Sequence, residues 1–147
     1  MIAGENILSL RDVEFNKILK ISMSEFYDMI EKDSNKIKPL YKVFGYEILS
    51  PYGWSDIQFV NKYRNLMDKY IVRTSSHELV CCKMQNLLVN GTKKTKVNEL
   101  KIGDMITTEY GLKEVTDVVD TGEKEIMFDI KAKTPLGYVF IGGILVN

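Results

Sequence analysis

The sequence predicts an all-β protein, and three observations predict it. Short runs of β-branched and aromatic residues recur along most of the chain, each bounded by Gly, Pro, Asn or Ser. Asn90-Gly91 stands between two such runs, a dipeptide suited to the left-handed backbone of a tight hairpin. Only two stretches show helical spacing, and both are short.

Taken in order, Ile7-Leu8-Ser9-Leu10 reads as a buried strand. A helix is expected over Ser24 to Lys32, with Ser24 as its cap and Phe26, Met29 and Ile30 on one face. Asp33-Ser34-Asn35-Lys36 is polar and aperiodic, hence an exposed loop. Tyr46 to Leu49 alternates and is stopped by Ser50-Pro51-Tyr52-Gly53. Trp54 to Tyr63 favours extended chain, although Val60 breaks the alternation of Ile57 and Phe59. Strands follow at Tyr70 to Thr74 and Glu78 to Cys82. The hairpin joins Leu87-Leu88-Val89 to Lys93 through Val97. One helical turn is expected near Val97 to Leu100. Further strands span Asp104 to Thr108, Glu114 to Val119, Glu125 to Ala132 and Tyr138 to Val146, with Asp120-Thr121-Gly122 as a separator. No fixed-period repeat and no second domain is evident, so residues 1–147 are expected to form a single domain.

Composition excludes several function classes. Twenty basic side chains balance 20 acidic ones, so the chain carries no net charge with which to neutralise phosphates. Lys93-Lys94-Thr95-Lys96 is basic but fits a solvated hairpin, and no nucleic acid is expected as partner. No apolar run approaches the ~20 residues of a membrane-spanning helix, and no membrane partner is expected. The start of the chain has neither the basic region nor the apolar stretch of a secretory signal. Cys81 and Cys82 are neighbours on an expected strand and so point to opposite faces, poorly placed to bridge each other. Without spaced Cys or His partners they make no zinc site. A reduced, cytoplasmic protein without metal or cofactor is the expectation. Met23, Met29 and Met67 are expected to fill apolar gaps rather than bind metal.

Four features bear on chemistry. His77 closes Thr74-Ser75-Ser76-His77, Gly103-Asp104 follows Leu100-Lys101-Ile102, Asp129 lies in Met127-Phe128-Asp129-Ile130, and the chain ends Gly142-Gly143-Ile144-Leu145-Val146-Asn147. Singly, each has a bland explanation: a packed or solvent-facing His, a tight turn, an outward-facing carboxylate, a terminal amide. As an ordered set they resemble the intein family, the self-splicing proteins of the Hint fold. Thr74 and His77 match its TxxH motif, Asp129 the carboxylate of its C-terminal block, and Asn147 the residue that cyclises. Met1-Ile2-Ala3-Gly4-Glu5-Asn6-Ile7 resembles its opening block. The likeness runs from end to end and is weakest between about Val13 and Tyr46.

The resemblance implies a horseshoe of short strands that brings the two chain ends together, and a single-turnover reaction on the chain's own peptide bonds rather than a turnover enzyme. Residue 1 would carry out an acyl shift, the upstream segment would pass to a downstream nucleophile, and Asn147 would cyclise to a succinimide. His77 would contact the amide nitrogen at the upstream junction, an imidazole being suited to protonate a leaving nitrogen. Thr74 would orient that region, and Asp129 would sit between the junctions. The partners would be flanking extein segments of a host protein. The absence of an endonuclease block would make it a mini-intein. Glu47-Ile48-Leu49-Ser50-Pro51-Tyr52-Gly53-Trp54 resembles compact phage inteins. Were the natural form split, the loop at Asp33–Lys36 is the expected place of division, and a complementary intein fragment would then be a partner.

The chain also departs from the family. Residue 1 is usually Cys, less often Ser or Ala, whereas Met1 has a thioether that cannot perform an acyl shift. Either the native first residue has been replaced, the reading that keeps Gly4 at its usual spacing, or Met1 is an initiator. The penultimate residue, usually His, is Val146, and a second His of the last block is absent at Leu136-Gly137. No residue follows Asn147, so this chain alone is not expected to complete a splicing cycle. Two other classes compete. One is a small β-rich module binding a peptide or nucleic acid through Tyr52, Trp54 and the basic hairpin. The other is a Hint relative that cleaves without ligating.

Overall fold

A computed structural model describes residues 1–34 and 39–147. The first half comprises β1 (Ile2–Ala3), β2 (Ile7–Asp12), β3 (Lys17–Ser22), α1 (Met23–Ser34), β4 (Leu40–Tyr41), β5 (Tyr46–Ser50), β6 (Gly53–Lys62) and β7 (Met67–Arg73). Then come β8 (Glu78–Cys82), β9 (Asn86–Val89), β10 (Lys93–Lys96), a 3₁₀ turn at Val97–Glu99, β11 (Met105–Thr108) and β12 (Gly111–Glu114). The chain closes with β13 (Asp117–Glu125), β14 (Met127–Ala132), β15 (Val139–Ile141) and β16 (Ile144–Val146). The all-β expectation holds, and both expected helical stretches are present.

The strands form two antiparallel sheets. One runs β13-β7-β8-β1-β14-β6-β5-β2-β3, with β4 on β6; the other runs β10-β9-β11-β16-β15, with β12 on β11. β6 makes the larger sheet turn, because its first residues pair with β5 (Glu47↔Asp56) and its later ones with β14 (Phe128↔Lys62). A bulge where Lys131 faces Phe59 but Ala132 faces Ile57 explains the broken alternation: Ile57 and Val60 both point into the core. β1 is only two residues long yet lies between β8 and β14, with Ile2 opposite both Cys81 and Phe128. The core gathers Ile2, Leu8, Leu10, Ile48, Leu79 and Ile106 from both sheets.

Helix α1 buries Met23, Phe26, Tyr27 and Ile30, the i, i+3, i+4, i+7 stripe of a helix with one apolar face. Burying each such side chain stabilises by about 1.5–3 kcal/mol. The cap is Ser22 rather than Ser24, its Oγ accepting from the Glu25 N–H at 3.2 Å. Ser24 instead ties the helix start to the first turn of the chain, its N–H and Oγ both donating to the Gly4 carbonyl at 3.0 and 3.2 Å. A Cβ at Gly4 would lie 2.8 Å from that of Ser24, so this approach excludes any larger residue. Asp33 and Ser34 belong to the last turn of α1, not to a loop; Asn35 and Lys36 lie outside the described residues.

Three further expectations are corrected. Glu114 to Val119 is not one strand: β12 ends at Glu114 and β13 begins at Asp117. Between them Val115 is fully buried and exchanges backbone hydrogen bonds with Gly103 and Asp104 as the chain crosses between sheets. Asp120-Thr121-Gly122 does not separate strands but forms an irregularity inside β13. There Asp120 Oδ1 accepts from the Gly122 N–H and Thr121 Oγ1 donates to the Lys69 carbonyl. Tyr138 to Val146 folds back on itself, because Gly142 and Gly143 take φ of +56° and +83° and turn β15 into β16.

Candidate active site

The pairing of β1 between β8 and β14 fixes where the chain begins. The Met1 carbonyl accepts from the Cys82 N–H at 3.1 Å, and the Met1 nitrogen is left facing β14. That nitrogen donates to Asp129 Oδ1 at 2.7 Å and to Gln85 Oε1. The other carboxylate oxygen, Oδ2, accepts from the Tyr63 hydroxyl. Burial pulls the Asp129 carboxyl upward, but the ammonium beside it and the Tyr63 hydrogen bond outweigh this and hold it below the usual carboxylate range. Burial and the adjacent carboxylate push the Tyr63 phenol up, so Tyr63 stays a donor. Asp129 is thus an ionised acceptor held on the nitrogen of the first residue.

The other end of the chain arrives through the second sheet. β16 pairs with β9 at Val146↔Leu87, which delivers Asn147 to the turn between β8 and β9. Gln85 occupies that turn and is 1% exposed. Its Nε2 donates to an Asn147 main-chain oxygen at 2.9 Å and to the Asn86 carbonyl at 3.0 Å. One carboxamide therefore spans the two ends of the chain. Sequence reasoning passed over Gln85, for a single polar residue between two strands carries no spacing signal.

Thr74 and His77 form the four-residue loop between β7 and β8, closed by Arg73↔Glu78. Thr74 Oγ1 accepts from the N–H groups of Ser76 (3.3 Å) and His77 (3.0 Å) and lies 3.2 Å from His77 Nδ1. Thr74 thus orders its own loop. The expected contact between His77 and the upstream nitrogen is absent. Cys82 meets Met1 at one end of β8 and His77 stands before the other end, five residues away or roughly 16 Å of extended chain. The ring stacks on Tyr110 at 5.9 Å between centroids and lies over Gly143, where a Cβ would come within 2.7 Å of Nε2. The register of β1 against β8 separates the imidazole from residue 1.

Both cysteines are buried. Burial pushes the Cys81 thiol well up, the character of an inert core residue. Cys82 lies on the other face, its Sγ 3.7 Å from Met1 Sδ.

No protein-family model matches the chain, and neither does any curated protein sequence. Solved structures do. The VidaL intein is 19% identical with a TM-score of 0.81, the match covering 99% of this chain and 94% of that one. The transcription factor IIB Mvu mini-intein is 11% identical with a TM-score of 0.80, over 100% and 99%. An intein from a hyperthermophile is 16% identical with a TM-score of 0.75, over 99% and 98%. Among the described residues the curled antiparallel sheets, the single main helix and the adjoining chain ends are together the Hint horseshoe, and the chain has the fold of these inteins.

Proposed function

We propose that the chain is an intein that acts once on the peptide bonds at its own two borders. The observation that carries this is the meeting of Met1, Asp129, Gln85 and Asn147 at one place. In a precursor the Met1 nitrogen would be the amide of the upstream junction, and the main-chain oxygen of Asn147 the carbonyl of the downstream one.

The chemistry follows from what each group can hold. With Cys or Ser at position 1, the side-chain sulfur or oxygen bonds to the upstream carbonyl carbon and the C–N bond to residue 1 breaks. The proton of the nucleophile ends on that nitrogen. An amide nitrogen offers one hydrogen, whereas the amine formed, once it takes a further proton from water, is an ammonium that offers three. Asp129 and Gln85, both acceptors, therefore favour the product of a shift that is otherwise uphill. A nucleophile leading the downstream segment then takes over the upstream acyl group. Finally Asn147 Nδ2 bonds to its own carbonyl carbon, the C–N bond to the downstream segment breaks, and the proton lost from Nδ2 ends on the departing amine. Holding these atoms together is worth ~7–11 kcal/mol of barrier. In this reading Thr74 and His77 act on the fold: they brace the Gly142-Gly143 turn from which β16 carries Asn147 to the site.

The test is a precursor with Met1→Cys, a segment ahead of residue 1 and a Cys-led segment after Asn147. Mass spectrometry should find joined flanks and a released chain ending in succinimide. Both flanks freed but never joined would indicate a relative that only cleaves, and an intact precursor would leave a β-rich binding module. Asn147→Ala should abolish downstream release, and persistent release would remove Asn147 from its role.

A further inference from the structure

The side chains of Val146 and Leu136 have no hydrogen to donate and Gly137 has no side chain, so the resemblance leaves the Asn147 carbonyl without a polarising side chain. One is present. We propose that Gln85 is a catalytic residue at both junctions, with Nε2 polarising the Asn147 carbonyl for succinimide formation and Oε1 receiving the nitrogen released upstream. This deepens the splicing reading and rests on it.

Three features single out Gln85. Its place in the chain is topologically forced: it lies in the turn joining β8, which pairs with the strand of Met1, to β9, which pairs with the strand of Asn147. A side chain here reaches both ends without a long arm. Its main chain is also anchored, the N–H donating to the Cys82 carbonyl at 3.1 Å and the carbonyl accepting from Val97 at 2.9 Å. Finally, the orientation of the carboxamide follows from its neighbours. Nε2 faces two carbonyl oxygens, those of Asn86 and Asn147, and Oε1 faces an amine. Turning the group over would set an oxygen against two oxygens and an NH₂ against an ammonium.

Attack on the Asn147 carbonyl places negative charge on the oxygen that Nε2 already contacts. A buried donor aimed at that atom needs no reorganisation when the charge develops. The two ends are also coupled. Once the upstream nitrogen becomes an ammonium it holds Oε1 more strongly, which fixes Nε2 on Asn147. Upstream scission should therefore speed downstream release, ordering the two steps.

The experiment uses the full chain with both flanking segments. In the Met1 form only downstream release can occur. Gln85→Met keeps the length of the side chain without its hydrogens, and Gln85→Glu keeps the acceptor while removing the NH₂. At pH 8 both should slow downstream release about 100- to 1000-fold, the usual effect of losing one such donor. The same variants in a Met1→Cys background report the upstream step through cleavage by an added thiol. Gln85→Glu, which keeps the acceptor, should lose at least about tenfold less there than it loses downstream, a split that a general loosening of the fold would not produce. Release from either variant at the parent rate overturns the proposal, as does an equal loss of both steps in a folded Gln85→Glu chain. A parent precursor that never releases its downstream segment overturns the splicing reading itself.

Discussion

A single carboxylate shows how closely chemistry and stability are linked in this molecule. Asp129 is largely buried, and what keeps it ionised is the Met1 nitrogen on one oxygen and the Tyr63 hydroxyl on the other. Its folded pKa is depressed below the ordinary ~3.9. The stability it contributes is therefore fully present above about pH 4 and lost as pH falls through the folded value. Asp129→Asn should lower stability at pH 7, and the gap from the parent should close on acidification. Urea unfolding between about pH 2.5 and 7 measures this, and parallel curves would show that Asp129 gains nothing from the ammonium. Tyr63→Phe should cost about 1.5–3 kcal/mol at pH 7, the range for a hydrogen bond to a charged group. The same measurement checks it. At this scale the sequence was partly legible. Asp129 and Asn147 stood out through their order near the chain end, because motif order survives without knowledge of pairing. Gln85 did not, because its role exists only once β8 has found β1 and β9 has found β16. His77 was visible as a motif, but its neighbours were not, since the strand register decides them.

Elements bounded by strong local chemistry were the legible ones. The Asn90-Gly91 hairpin forms as expected, with both residues at positive φ and the Thr92 N–H donating to the Val89 carbonyl at 3.3 Å. α1 followed from its apolar stripe. Elements whose identity rests on a partner were missed: β1 is too short for any periodicity, and β3 leaves Ile18 on the outer face of a hairpin. The β15–β16 turn was hidden inside an apolar run, its signal reduced to Gly142-Gly143, and here the packing makes a prediction. A Cβ at Gly142 would lie 2.8 Å from the Glu78 carbonyl, and one at Gly143 would enter the His77 ring. Gly143→Ala should lower stability by about 2–5 kcal/mol, combining left-handed backbone strain with the steric clash. Adding His77→Ala should recover the steric part and leave the backbone part. Chemical denaturation of the two single variants and the double variant resolves this. Strict additivity would place the ring and the turn apart and remove the bracing role assigned to His77.

At the scale of the whole molecule, the order of strands dictates how the chain behaves if it is divided. Residues 1–34 supply β1, β2, β3 and α1, yet β1 has as neighbours β8 and β14, and β2 lies between β3 and β5. The first piece therefore owns one strand pair, β2 with β3, and one helix. Its buried Ile2, Leu8, Leu10, Phe26 and Tyr27 belong to a core shared with strands of the other piece. A two-stranded ribbon with one helix has too little apolar burial to order its own backbone. Residues 39–147 hold both ends of the remaining sheet but have a gap where β1 belongs, and with it the Met1 corner of the site is missing. A cut between Ser34 and Pro39, overlapping the Asp33–Lys36 stretch expected as the division of a split form, should leave the first piece unfolded and the second open at that gap. Mixing them should order both, because each supplies the strands the other needs. Circular dichroism of each piece and of the mixture measures the gain in strand. With Met1→Cys and flanking segments attached, joined flanks should appear only in the mixture. A first piece already folded alone, or micromolar mixtures with additive spectra and no joined product, would contradict the prediction. The interleaved sheet would then not be what holds the two chain ends together.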